Sequence, residues 1–160
     1  MSPAPDLMML LHVASHTLET EMTARLATIG VTPRANCVLS QALRQERTQT
    51  ELAEACNLDK TTMVVTVDAL EREGLAERRL SSIDRRARII AVTPAGAELV
   101  AKAQRVIEGI YKDVLTSLPR DERDAFVAGL TRLAQGRLST PVPCEKPPRR
   151  RAARVPQPVK

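Results

Sequence analysis

The chain has 160 residues and a formal net charge of +5, with 43% hydrophobic and 27% charged residues, a composition that fits one globular domain without a disulfide or metal scaffold. Only Tyr111 and Phe126 are aromatic, which excludes the base-stacking platforms of single-strand binders and of RRM-like sheets. The longest apolar run, Leu7 to Leu11, is too short to span a bilayer, and no Lys or Arg precedes Arg25, so a secretory leader is not expected.

Leu7, Leu11, Ala14, Leu18, Met22, Leu26 and Ile29 recur at steps of three and four. That spacing predicts a helix with one apolar stripe, stopped by Gly30. Thr32-Pro33 supplies a cap and a first-turn proline for a second helix that turns Val38, Leu39, Ala42 and Leu43 inward. Thr48-Gln49-Thr50-Glu51 is a capping box, and the short helix it opens runs through Leu52, Ala53 and Cys56 to a break at Asn57. Asp59 caps the next helix, with Met63, Thr66, Val67 and Leu70 inside and Gly74 as its stop. After Leu75 the period changes: a strand ending at Leu80 and a second over Ile89, Ile90 and Val92 flank a hairpin tip at residues 81–86. Thr93-Pro94 opens a long helix with Leu99, Ala103, Val106, Ile110 and Leu118 on its apolar face, broken by Pro119. A last helix, Asp121 to about Arg137, carries Phe126, Leu130 and Leu133. Beyond Arg137 stand six of the eleven prolines and few large apolar residues, the composition of a disordered tail.

The charge is unevenly placed. Residues 137–160 hold seven Lys or Arg against one acid, Glu145, whereas the other 136 residues hold 17 bases and 18 acids. Within that near-neutral body, Arg78, Arg79, Arg85, Arg86 and Arg88 crowd one short segment with only Asp84 opposing them. Two basic spots on a neutral body point to a polyanion touched locally.

Two helices joined by a tight turn hold the second rigidly enough for its N-terminal side chains to enter a DNA major groove. In that helix Lys60, Thr61, Thr62 and Val65 stay outside the apolar stripe. Threonine can meet base edges, Lys60 can take a phosphate or a guanine edge, and the helix N-terminus adds N–H groups for phosphate. An arginine at the hairpin tip has the reach and charge for the adjacent minor groove.

The run Gln49-Thr-Glu-Leu-Ala-Glu-Ala-Cys-Asn-Leu-Asp-Lys-Thr-Thr-Met, then Val67-Asp-Ala-Leu-Glu71 with Gly74-Leu75, Asp84-Arg-Arg-Ala and Val92-Thr-Pro-Ala-Gly96, resembles the MarR family of winged helix–turn–helix regulators. The detailed resemblance spans about residues 31–98, and Asp84-x-Arg86 is its most diagnostic piece. It implies a mainly α fold: a winged helix–turn–helix domain with a two-stranded β-wing, flanked by N- and C-terminal dimerisation helices. The domains are then 1–30 and 94–137 for dimerisation, 31–93 for DNA and 138–160 for the basic tail. It further implies a homodimer on near-palindromic duplex DNA, acting as a repressor that a small-molecule effector releases. Arg86 would enter the minor groove, and Asp84 would hold the wing by pairing with a neighbouring arginine. The candidate DNA-binding set is Thr48, Gln49, Lys60, Thr61, Thr62, Val65, Arg79, Asp84, Arg85 and Arg86. The chain departs from the family at Asn36, where an aromatic is common, at Val64-Val65, where polar or basic residues are common, and at Asn57, where glycine is usual.

Other readings stay open. His12 and His16, at i and i+4 with Glu19 beyond, have a spacing that can bind zinc, but a surface or interface pair is the plainer account. With Asn36 they are the candidates for contacting an effector. Cys37 and Cys56 are candidate thiol sensors or simply small apolar residues, and Cys144 lies in the tail. Three widely spaced cysteines make no disulfide framework and suit a reducing cytoplasm. Glu71-Arg72-Glu73 and Asp121-Glu122-Arg123-Asp124 read as solvated helix faces. No Ser–His–Asp order, phosphate loop or metal-ligand run points to an enzyme or a cofactor. The alternatives to an effector-released repressor are a metal- or thiol-responsive regulator and a protein-interaction module on the same scaffold.

Overall fold

Five helices begin where a side chain closes the first open backbone amides, and these caps set the boundaries of the fold. The computed structural model describes residues 6–84, 86–140 and 142. In chain order the elements are α1 (Leu7–Ala27), α2 (Pro33–Arg44), α3 (Gln49–Ala55), α4 (Lys60–Arg72), β1 (Ala76–Leu80), β2 (Arg88–Val92), α5 (Pro94–Thr116) and α6 (Arg120–Gln135). Asp6, Thr32, Thr48, Asp59 and Thr93 accept the capping hydrogen bonds of α1 to α5, whereas α6 follows Pro119 without a side-chain cap. At the other ends, Gly30 (φ +76°) and Gly74 (φ +69°) take the left-handed conformation that stops α1 and α4.

β1 and β2 pair antiparallel, with Ala76 opposite Val92 and Leu80 opposite Arg88. Thr48 adds an isolated bridge to Ile89, and the Ile90 amide donates to the Arg47 carbonyl at 3.1 Å. The hairpin is thereby tied to the start of α3.

The chain divides at Ser117 into two compact units. In the first, Val38, Leu39, Leu52, Met63, Val67, Leu70 and Ile90 form one buried cluster uniting α2, α3, α4 and β2. A second cluster of Leu26, Val31, Ala103 and Ile107 joins the end of α1 to α5. Burying one such Leu or Ile stabilises the fold by roughly 1.5–3 kcal/mol, so the core fixes how α4 and the hairpin lie together. In the second unit, α6 buries none of its residues.

The predicted stripes need correction at three places. Leu43 is 49% exposed, because the inward face of α2 ends at Ala42. In α1 only Leu26 is buried, and Leu7, Met8, Met9, Leu10 and Val13 all stand out from the chain. α5 ends at Thr116, so Leu118 belongs to the second unit and Ile107 takes a place on the inner face that the periodicity missed. The predicted tail falls almost wholly outside the described residues. Among the described residues, no helix is long and apolar enough to cross a membrane.

Candidate nucleic-acid interface

The turn between α3 and α4 is closed by backbone geometry. Asn57 adopts φ +51°, a conformation that asparagine tolerates better than most residues. The Leu58 amide then donates to the Ala53 carbonyl at 2.8 Å, and the Asn57 amide to the Glu54 carbonyl at 3.1 Å. This double closure ends α3 and sets the angle at which α4 departs. Asparagine thus does here what the family's usual glycine would do.

On α4, Lys60, Thr61 and Val65 are exposed, Val65 to 62%. Thr62 is half-buried, and its hydroxyl donates to Asp59 Oδ2 at 2.6 Å while its amide donates to Oδ1 at 2.9 Å. These bonds hold the Asp59 carboxyl below its ordinary range. Thr48 is likewise occupied. Its amide and hydroxyl both donate to Glu51 Oε2, at 2.7 and 2.9 Å, which lowers the Glu51 carboxyl as well.

Arg78 is the hub that sequence reasoning missed. Its guanidinium bonds Glu71, donates to Asp68 Oδ1 at 2.7 Å and to Gln49 Oε1 at 3.1 Å, and its backbone amide donates to Glu71 Oε1 at 2.8 Å. One side chain of β1 therefore ties down α4 and the start of α3. The hydrogen bond to Asp68, with the attraction of both carboxylates, raises Arg78 above its already high ordinary pKa. Glu71 is thus a structural partner, in contrast to the solvated face predicted for it. The Gln49 carbonyl oxygen is spent on Arg78.

The tip of the hairpin, residues 81–87, is held by short-range bonds. Ser81 donates its amide to the Ala87 carbonyl at 2.9 Å, and the Ala87 amide donates to the Asp84 carbonyl at 2.9 Å. The Ile83 and Asp84 amides donate to Ser81 Oγ at 3.1 and 3.2 Å. Asp84 Oδ1 accepts the backbone amide of Arg86 at 2.9 Å. Among the described residues Asp84 shapes the tip through this backbone amide and pairs with no guanidinium. Arg85 lies outside the described residues.

The basic patch is also smaller than its arginine count suggests. Arg78 is matched by Asp68 and Glu71, and Arg79 Nη2 lies 3.7 Å from Glu46 Oε1. Arg86 and Arg88, both exposed, have no carboxylate in ion-pair range among the described residues. The charge free for a polyanion therefore sits at the tip and on the neighbouring face of β2.

The remaining candidates are scattered. His12 and His16 are exposed and stack nearly parallel, with ring centroids 6.2 Å apart. Among the described residues, no three or more His, Cys, Asp or Glu gather to hold a metal ion. Cys37 and Cys56 are half-buried free thiols facing each other, and burial, then Cys37, pushes Cys56 up to about 12. Such a thiol stays protonated at neutral pH and is a poor nucleophile. Asn36 Oδ1 is buried without a hydrogen-bond partner among the described residues. Two hollows meet at Thr32 and Arg34: one of about 470 Å³ beside Glu19, Met22 and Thr23 of α1, and one of about 220 Å³ reaching Val65, Thr66 and Ala69 of α4.

A capped helix–turn–helix with a basic two-stranded hairpin fastened beside its second helix is a winged helix, a class built around duplex DNA. A sequence profile of the MarR family matches residues 29–87. The transcriptional repressor CouR, solved on a 23-mer DNA duplex, is 32% identical over 80% of this chain and 92% of its own, with a TM-score of 0.69. CouR from Rhodococcus jostii RHA1, solved with p-coumaroyl-CoA, gives 26% identity over 82% and 93%, with a TM-score of 0.70. Wild-type MarR from E. coli, at 19% identity over 82% and 98% and a TM-score of 0.72, shares the fold. The chain belongs to the MarR family and is a DNA-binding transcriptional regulator. Homodimers are typical of that family.

Proposed function

We propose that two copies of this chain occupy a near-palindromic operator as a repressor, and that a small organic effector releases them. The observation that carries the DNA half is the joint placement of α4's exposed Lys60, Thr61 and Val65 with the unmatched Arg86 of the wing. In this reading Lys60, Thr61, Thr62 and Val65 meet the major groove, with Val65 suited to thymine methyls. Arg86, with Arg85 and Arg79, serves the minor groove and phosphates. Thr48 and Gln49 act through the α3 terminus they hold, because their side chains are already engaged. The exposed apolar half of α1, continuous from Leu7 to Leu10 and resumed at Val13, supports dimerisation through the flanking segments 1–30 and 94–137. The protein acts by binding rather than catalysis, in the cytoplasm.

The effector half is supported by CouR's p-coumaroyl-CoA complex and by the paired hollows at Thr32 and Arg34. A ligand there touches both α2 and α4, and it acts only through unequal affinity for the DNA-bound and free arrangements. A bias of a few kcal/mol between them is enough to empty an operator.

The test is selection from a randomised duplex pool, with bound DNA recovered and sequenced over several rounds. Enrichment of a two-fold symmetric site, with half-sites about one helical turn apart, is the expected result. No enrichment by a folded dimer would end the regulator reading. Deleting residues 138–160 is expected to flatten the salt dependence of binding, by about 0.9 in the log–log slope for each phosphate the tail neutralises. An unchanged slope would make the tail a bystander.

A further inference from the structure

Glu46 lies in the connector between α2 and α3, at a position with no predicted function. Its carboxylate reaches across to the base of the wing. Oε2 accepts from the Ser81 hydroxyl at 2.6 Å and the Ser82 amide at 3.1 Å, while Oε1 accepts from the Ser82 hydroxyl at 2.6 Å and the same amide at 3.3 Å. Arg79 Nη2 stands 3.7 Å from Oε1, and the Glu46 side chain is only 21% exposed. The hydrogen bonds from Ser81 and Ser82 keep the carboxyl below its ordinary range.

The place of this contact matters. Strand pairing ends at Leu80 and Arg88, and a two-stranded ribbon is marginal by itself. Beyond that last pair the tip has its own turn bonds, and Glu46 fastens it from outside the hairpin just where the ladder stops. The Ser81 hydroxyl that Glu46 engages is the one that accepts from the Ile83 and Asp84 amides, and Asp84 in turn holds Arg86.

We propose that Glu46 is a positioning residue for DNA binding: it locks the wing tip, and through it Arg86, at one angle to α4. The proposal rests on the DNA-binding reading above. A carboxylate near a DNA-facing surface repels phosphate, so electrostatics alone says that removing it tightens binding. The clamp says that removing it weakens binding, because the tip must then be ordered at the cost of binding energy. The two accounts differ in sign.

The experiment measures affinity for the selected duplex by fluorescence anisotropy, using full-length Glu46→Ala and Glu46→Gln, with melting curves as a control. Glu46→Ala is expected to bind about tenfold more weakly, the order set by losing several charge-assisted hydrogen bonds. Glu46→Gln is expected to stay within about threefold of wild type, because its amide can still accept from Ser82 and bond a hydroxyl. Hydroxyl-radical footprints of Glu46→Ala should lose the flanking minor-groove protection while methylation protection of the major groove persists. Binding by Glu46→Ala as tight as wild type or tighter would overturn the clamp, as would equal losses in both variants with both grooves unprotected. If Glu46→Ala does not fold, Ser82→Ala, at an exposed position, is read the same way, and an unchanged affinity and footprint there would overturn it. A wild-type protein that selects no site would sink the DNA-binding reading itself.

Discussion

Gly96→Ala is expected to be among the most destabilising single substitutions in this chain, costing about 3 kcal/mol, the upper end of the range for overpacking a tight site. Gly96 sits in the first turn of α5. A Cβ there would stand 2.1 Å from the Leu75 carbonyl oxygen and 2.8 Å from Val92 Cγ1. The obstacle is backbone, and that backbone is pinned. The Leu75 carbonyl accepts from the Thr93 amide at 3.1 Å, and the Thr93 hydroxyl donates to the Gly74 carbonyl at 2.7 Å. Gly96 itself donates its amide to Thr93 Oγ1 at 3.1 Å. Neither α5 nor the turn after α4 can retreat without breaking this knot. Thermal unfolding checks the prediction: a loss of this size lowers the midpoint by roughly 10 °C for a chain of this length. A variant melting with wild type would show that the turn yields more easily than its bonds suggest.

Gly96 also shows what a sequence reveals and what it hides. The Thr93-Pro94 start of α5 is local, since a hydroxyl and a ring act on the next three residues, and so it can be read from spelling alone. Thr32, Thr48 and Asp59 are visible for the same reason. The need for glycine at position 96 is not local. It arises from the Leu75 carbonyl, 21 residues earlier in the chain, and only the resemblance to a family singled out that residue beforehand. Arg78 is the same case in charge. Counted along the chain it belongs to a basic cluster, but folding carries it to Asp68, Glu71 and Gln49, and its charge is matched by two carboxylates. Leu43 and the first half of α1 fail differently. Periodicity identifies a face as apolar without saying whether this chain or a second copy covers it. For the site, exposure of Lys60, Thr61 and Val65 followed directly from their standing outside the α4 stripe. Glu46 gave no signal, because an acid in a connector is ordinary until its donors are known.

Arg86→Ala is expected to cost about 1–3 kcal/mol of binding to the selected duplex, the scale of one lost groove contact. Arg86 is exposed, and its backbone is fixed by Asp84 at 2.9 Å. Because its guanidinium has no carboxylate competitor among the described residues, nearly all its attraction is available to DNA. The negative potential it would meet is strongest where A·T steps narrow the minor groove. The loss should therefore be larger on duplexes with A·T flanks than on duplexes with G·C flanks. The salt dependence separates two modes of contact. If Arg86 neutralises a phosphate, the log–log slope falls by about 0.9; if it reads the groove, the slope holds and the flank preference vanishes. Folding should be unaffected, since the side chain is exposed. An Arg86→Ala dimer that binds both duplexes as wild type does would remove the wing from recognition. Arg79→Ala supplies the internal comparison: Glu46 already shares that charge at 3.7 Å, so its loss should weaken binding less than the loss of Arg86.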